Sequence, residues 1–284
     1  MLIMEGHVMF DLLETITLLL IPGFLLLDFV IQKRKYNKTR HWRLRGAVVT
    51  AAIVFFTGEV AWLWGQLFGD VHLFNLSGLG LFSGAIIGIL VYELLHYAYH
   101  RAAHSWEWLW RASHQMHHSA ESLDAFGANY IHPIDAVMFT SISSLVFFPL
   151  LGLSIESAMI GTFFVAFNAM FQHANIKTPH WLGYLIQRPE SHNIHHARDI
   201  HRYNYADLPI IDMIFGTYIN PHYLNSTECG FYKGASSRII DMLLGRDVTQ
   251  RPAYTNRQPV PLISSPESHR GSADWEDGIT AMRS

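Results

Sequence analysis

The sequence predicts an all-α integral membrane protein: a helical bundle of about four to five spans, two of them a short hairpin, carrying a cytosolic helical cap. Three observations carry this reading. Half of the 284 residues are hydrophobic and only 15% are charged, against roughly 25% in soluble domains. Five apolar stretches approach the roughly 20 residues that a helix needs to cross a bilayer. Most of the 18 histidines gather around the ends of the later stretches, many at helical spacings.

The first stretch, Phe10–Ile31, holds Asp11, Glu14, Pro22 and Asp28, mostly near its ends. Glu5 precedes it and no Lys or Arg does, the wrong flank for a cleaved signal peptide, so a retained first span is expected. The segment Lys33–Arg45 carries seven Lys/Arg. The positive-inside rule assigns it to the cytoplasm, where it also suits anionic lipid headgroups. Gly46–Gly69 follows, containing Glu59, and then the loop Asp70–Asn75, which has no Lys or Arg. The third stretch is Leu76–Tyr99, in which Gly78, Gly80, Gly84 and Gly88 are candidate close-contact positions. Ala136–Leu153 and Ile155–Gln172 are short and joined by Ser154-Ile155-Glu156, so they read as a tight hairpin that crosses or dips in. Counting from the basic segment puts the N-terminus outside and all the clustered histidines on the cytoplasmic side.

Three regions result: membrane helices with the basic loop over 1–75, a histidine-bearing domain over 76–221, and a C-terminal extension over 222–284. In the extension, Gly234–Gly245 suits one short amphipathic helix. The chain after Asp247 is rich in Pro, Ser, Arg and Gly without periodicity, so disorder is expected there. There is no repeat at a solenoid period. A net charge of −3 gives no case for nucleic acid. Cys229 is the single cysteine, which excludes an intrachain disulfide, an iron–sulfur cluster and a thiolate zinc site.

The histidines carry the chemistry. His96, His100 and His104 fall at i, i+4, i+8 and form one stripe at the end of the third stretch; ionisable groups leaving an apolar helix mark a functional site. His114-Gln-Met-His117-His118 follows a Trp-rich stretch suited to the interface. His173 follows the hairpin, and His192-Asn-Ile-His195-His196 follows a Pro/Glu/Ser helix start. Residues at i, i+3 and i+4 share a helix face, so each triplet is expected to aim three imidazoles at one point. Chance supplies only about 0.07 such triplets in a chain of this histidine content. The two triplets with His100, His104 and His173 are the expected ligands of a polynuclear metal site. His7, His41, His72, His222 and His269 lack such spacing and read as ordinary hydrogen-bonded residues, as do His132 and His180.

Imidazole suits iron, zinc, copper and nickel alike. A bis-His haem needs fewer histidines. A zinc hydrolase needs fewer as well, usually with a carboxylate base as in His-Glu-x-x-His, which is absent. Iron with oxygen is favoured. A zinc-dependent membrane hydrolase and a non-catalytic metal-binding or transport membrane protein are the rival readings; a transporter would place its ligands near the bilayer midplane.

His100-Arg-Ala-Ala-His104, the two triplets, Phe171-Gln172-His173 and the closing Arg202–Pro221 resemble, in order and separation, the fatty acid hydroxylase/sterol desaturase superfamily of membrane di-iron enzymes. The likeness covers roughly Tyr92 to Pro221. It implies a membrane domain with a cytosolic cap, two Fe ions, O₂ as co-substrate, and hydroxylation or desaturation of a lipid such as a sterol or fatty-acyl chain, in lipid biosynthesis. It carries metal-ligand roles onto His100, His104, His114, His117, His118, His173, His192, His195 and His196. His96 is then a supporting residue rather than a ligand, and His201 either completes the set or orients one ligand. Some members pair the histidine after the hairpin with another four residues later; here that position is Lys177. Electrons are expected from a separate donor protein, a reductase with a ferredoxin or cytochrome b-type carrier. Glu93, Asp124, Glu190, Asp199 and Asp207 are the nearby acids able to orient ligands.

Overall fold

Apolar length dictates the architecture. In the computed structural model, which describes residues 2–222 and 228–252, four helices are long and apolar enough to cross a membrane, and a fifth is shorter. Helix α1 (Leu2–Val30) has its apolar window at Leu12–Val30, and α2 is Trp42–Phe68. Helix α3 (Leu81–Ser105) leads through Trp106 into α4 over 107–118. Helices α5 (Pro133–Leu150) and α6 (Ile155–Phe171) form the hairpin. The short helices α7 (Pro189–His195), α8 (Pro209–Phe215) and α9 (Ile239–Leu243) build the cap. No strand occurs among the described residues; one isolated bridge pairs Ala197 with Cys229. The outward faces of the long helices carry exposed Leu18, Phe55, Trp62, Phe82 and Ile86, the pattern of surface that meets lipid rather than water.

Local chemistry sets the helix ends. Pro133 occupies the first turn of α5, with the His132 ring accepting the Ile134 N–H. Pro149 lacks an N–H, and the helix widens there into a π turn over Val146–Leu150, closed by Leu151 N–H to Val146 O. Ser154 caps α6 by accepting the Ser157 N–H. The hairpin turn is therefore 151–154; Ile155 and Glu156, expected in the turn, are already helical because the Ser154 cap starts the helix there. The third span begins at Leu81, not Leu76. Residues 73–76 instead pair with the hairpin tip, through Leu73 N–H to Pro149 O, Phe74 N–H to Leu150 O and Leu76 N–H to Leu151 O. The loop without Lys or Arg and the hairpin tip thus share one end of the bundle, and the histidines occupy the other.

Two of the four glycines expected at helix contacts are there. A Cβ on Gly84 would lie 2.6 Å from Ser157 Oγ, and one on Gly88 would lie 2.7 Å from Leu153 Cδ1. Glycine lets α3 approach the hairpin at these points. Gly78 and Gly80 meet nothing within 4 Å, because they precede the helix.

In the cap, Trp42, Met116, Phe126, Tyr130, Met242 and Val248 form one buried cluster. The expected C-terminal helix is a 3₁₀ turn, Ala235–Ser237, followed by α9. Val248 is fully buried and its N–H reaches Gln115 Oε1, so the chain after Asp247 begins packed; residues 253–284 lie outside those described. Asp28, fully buried near the end of α1, accepts the N–H groups of Ala125 (2.5 Å) and Asn175 (2.9 Å). Asn175 in turn binds the backbone of Lys33 and Arg34. Removing this carboxylate strands two buried donors, so Asp28→Ala is expected to lower unfolding stability in detergent by about 2–4 kcal/mol, and Asp28→Asn by less. Equal stability of all three proteins would remove Asp28 as the tie between α1 and the cap.

Candidate metal centre

All nine sequence-predicted ligands converge, but in two groups. The nearest ring atoms of His100, His104, His114, His118 and His195 lie within 4.8 Å of one another, as do those of His117, His173, His192 and His196. Each triplet is divided between the groups, contrary to the expectation that its three rings share one point. His114 and His118 enter the first group and His117 the second; His195 enters the first, and His192 and His196 the second. Rings at i and i+4 stay together while the one between them diverges, as the 100° step of a helix dictates. In α4 the turn Trp110–His114 is a π turn, which adds a residue before the triplet and sets its angle.

In the first group the Nε2 atoms of all five rings are buried and have no hydrogen-bond partner. Three of the Nδ1 atoms are held from behind by acceptors: His100 donates to Tyr205 O (2.6 Å), His195 to Tyr203 O (2.7 Å) and His114 to Asp135 Oδ2 (2.7 Å). His201 Nδ1 stands 3.1 Å behind His118 Nδ1. A ring that donates from Nδ1 carries its lone pair on Nε2, so these lone pairs face each other across the centre. In the second group, His173 Nδ1 donates to Ala169 O (2.7 Å), and the Nε2 pairs 117–173, 173–192 and 192–196 each lie 3.1 Å apart. With metal–nitrogen bonds of about 2.1 Å, ligands at right angles to tetrahedral angles lie about 3.0–3.4 Å apart, the range these pairs fall in. Five unsatisfied imidazole nitrogens and four crowded ones fit two metal ions.

Burial, reinforced by neighbouring rings, holds His117, His118, His192, His195 and His196 well below the ordinary histidine range. Burial brings His173 down to about 4. The rings are thus neutral, the form that binds metal.

His96 joins neither group. It lies against Glu93 and Asp207, with Nδ1 3.8 Å from Asp207 Oδ2. His201 backs His118. Lys177 is exposed and takes no part. Of the acids named from sequence, Asp124 binds Trp42 and Lys38, and Glu190 binds Arg34 and Thr178. The carboxylate that orients a ligand ring is Asp135, which sequence reasoning missed; Tyr99 OH donates to its other oxygen at 2.5 Å. Its signal was an acid in the first turn of an apolar helix, just after Pro133. The carbonyls behind His100 and His195 come from a loop whose residues His201, Tyr203 and Asn204 have left-handed φ of 42°, 69° and 52°. The loop is locked by the Asn204 side chain, which donates to Ser191 O and Ile219 O and accepts from Ile219 N–H.

Both groups open on one cavity of about 470 Å³ between α2, α3, α5 and α6. Its walls include Ile53, Phe139, Phe147 and Val165, and its inner end exposes His100, His114, His117, His173 and His192. Helix α2 contributes one wall through Ile53, Val54, Thr57 and Ala61.

Residues 85–217 match the family described as fatty acid hydroxylase, and that stretch contains all nine rings. Over this stretch the chain is similar to the fatty acid hydroxylase family. Proteins similar to this chain include a very-long-chain aldehyde decarbonylase of Oryza sativa subsp. indica, 25% identical over 154 residues, covering 51% of this chain and 58% of that protein. Sphinganine C4-monooxygenase 1 of Arabidopsis thaliana is 25% identical over 157 residues, 54% of this chain and 60% of its own. An ornithine lipid hydroxylase of Rhizobium tropici is 28% identical over 149 residues, 51% of this chain and 44% of its own. The chain therefore spans well under two thirds of the length of these relatives. No solved structure matches it.

Asp135→Asn keeps the shape behind His114 and removes the charge. Metal affinity is expected to fall about 10–100-fold, read by competition with a chromophoric chelator. Unchanged affinity would show that Asp135 does not hold the ring for the metal.

Proposed function

We propose that this chain is a membrane-bound, O₂-dependent di-iron oxidoreductase that hydroxylates or desaturates a C–H bond of a lipid. The observation that carries the reading is the pair of converging imidazole groups opening on one apolar cavity inside the membrane bundle. His100, His104, His114, His118 and His195 would hold one iron, and His117, His173, His192 and His196 the other. Bound iron would supply activation of oxygen and removal of hydrogen from an unactivated C–H bond, chemistry that amino-acid side chains do not provide alone. The chain's own work is positional. Asp135 and the carbonyls of Tyr203, Tyr205 and Ala169 fix ring orientation. Phe139 and Phe147 line a dry passage that places an alkyl chain against the histidines and keeps bulk water from the reacting carbon. The names of the relatives, two lipid hydroxylating enzymes among them, support an amphiphilic substrate and oxygen chemistry.

The histidine end faces the cytoplasm in this proposal. Support comes from the basic segment, which is tied to the same end by Arg34 to Glu190 (2.8 Å), Lys38 to Asp124 (3.0 Å) and Lys33 N–H to Asn175 O. Electrons come from a separate donor protein of the reductase and ferredoxin or cytochrome b class, as the family resemblance implies.

Protein purified in detergent without added metal is expected to carry about two irons per chain by elemental analysis. His117→Ala and His195→Ala each lose metal and lose oxygen-dependent lipid product, whereas His72→Ala keeps both. Full metal in both triplet variants would overturn the ligand assignment, and product formed without oxygen would overturn the reaction. Reporter fusions in the Lys33–Arg45 segment are expected to report the cytoplasm; a signal from the opposite side would reverse the topology.

A further inference from the structure

The inner end of the cavity is not wholly apolar. Beside the histidine groups, Tyr92, His96, Gln172 and Asp207 line it, with Glu93 directly behind. Ring or carboxylate atoms of Glu93, His96 and Asp207 lie within 4.8 Å of one another. Glu93 Oε2 accepts the N–H groups of Asp207 (3.0 Å) and Leu208 (3.1 Å), and Asp207 Oδ1 accepts from Gln172 (3.0 Å). The facing atoms are left over. Glu93 Oε1 and His96 Nδ1 are buried without a hydrogen-bond partner. Asp207 Oδ2 faces His96 Nδ1 at 3.8 Å, beyond hydrogen-bond reach. Among the described residues no Lys or Arg pairs with either carboxylate. Among the described residues every other fully buried acid has donors for its oxygens: Asp28 takes backbone N–H groups, Asp124 takes Trp42 and Ser122, Asp135 takes Tyr99 and His114, and Asp212 takes two backbone N–H groups and Thr217.

Two buried carboxylates with no cation, at the polar end of a cavity otherwise built for a chain, lack a hydrogen-bond donor of positive charge. We propose that Asp207 and Glu93, with His96, form a subsite for the ammonium group of an amino-bearing amphiphile, and so select the substrate class. Its three N–H bonds match the two carboxylate oxygens and the imidazole nitrogen. His96 stacks on His100 with ring centroids 5.6 Å apart, so an amine held here keeps the first carbons of its chain beside the histidine groups. The carbon oxidised then lies within a few bonds of the nitrogen rather than at the far end of the chain. This inference rests on reading the cavity as the lipid site.

The test uses the metal-loaded protein in phosphatidylcholine nanodiscs and three probes of equal chain length: dodecylamine, dodecanol and dodecanoate. Binding is compared between wild type, Asp207→Asn and His96→Phe, so that partition into the bilayer cancels. His96→Phe keeps the stacking on Tyr92 and His100 and removes only the ring nitrogens, and elemental analysis of each variant reports whether the histidine groups are intact. The wild type is expected to prefer the amine over the carboxylate by about tenfold or more, with that preference collapsing in Asp207→Asn and shrinking in His96→Phe at unchanged metal content. Equal binding of amine and carboxylate to the wild type, or a preference that survives Asp207→Asn, overturns the subsite while leaving the lipid cavity standing. Binding of none of the three overturns both readings. A third equivalent of metal that disappears in Asp207→Asn assigns the cluster to a metal ion and overturns the amine.

Discussion

Nine imidazoles can share one buried volume only if they stay neutral. Two protonated rings 4 Å apart repel by about 4 kcal/mol even at an effective dielectric of 20, and each group here contains several such pairs. Neutrality then fixes the tautomer. A neutral ring has one N–H, and if Nε2 is to present a lone pair inward, Nδ1 must donate outward. Much of the surrounding architecture supplies the acceptors for those outward protons: Tyr205 O, Tyr203 O, Ala169 O and Asp135. Only one of these four is a charged group, so the electrostatic balance of the site is set largely by backbone dipoles.

Supplying backbone carbonyls at fixed points demands irregular chain. Ala169 offers its carbonyl because His173 lies just beyond the last residue of α6, where helical carbonyls run out of N–H partners. Tyr203 and Tyr205 offer theirs because the loop between α7 and α8 turns through several left-handed residues. Those conformations cost of order 1–3 kcal/mol each for side chains other than glycine. They persist here because Asn204 makes three hydrogen bonds to Ser191 and Ile219, and Asp212 accepts the N–H groups of Tyr205 and Ala206. The strain belongs to the loop that aims the rings.

The sequence showed the spans, the all-α class and the nine histidines that converge among the described residues, because apolar length and i, i+3, i+4 spacing are both local properties. It did not show how the triplets divide. That depends on the angle at which α4 and α7 face each other, and one π turn alters the angle without altering the spacing. Asp135 escaped notice for a related reason: twenty-one residues separate it from His114, and only the entry of α5 beside α4 brings them together. Gly78 and Gly80 were misread because hydropathy runs on through the loop that precedes α3, whereas the helix waits for Leu81. Val248 lay in a stretch whose composition resembles disorder, and a single apolar side chain fitting a gap against Trp42 and Met116 is invisible to composition.

The buried acids divide by what they face. Asp28, Asp124, Glu121 and Glu190 point into the junctions between the membrane helices and the cap, where backbone N–H groups, Trp42, Ser236 and Arg34 meet them. There a carboxylate replaces several water molecules at once and ties segments far apart in sequence. Glu93 does the same on one side only: one oxygen holds the start of α8 through Asp207 and Leu208 N–H. A residue needed only as a helix clasp gains nothing from keeping its second oxygen unsatisfied and buried, since that oxygen carries a desolvation penalty of about 1–3 kcal/mol. Neither does His96 gain from a buried ring nitrogen without a partner when a phenylalanine would stack equally well on Tyr92. The same side of the cavity holds both omissions, next to the histidine groups and away from the junctions. Stability alone explains the clasp but not the two open atoms, which lie in one cluster beside the cavity's polar end.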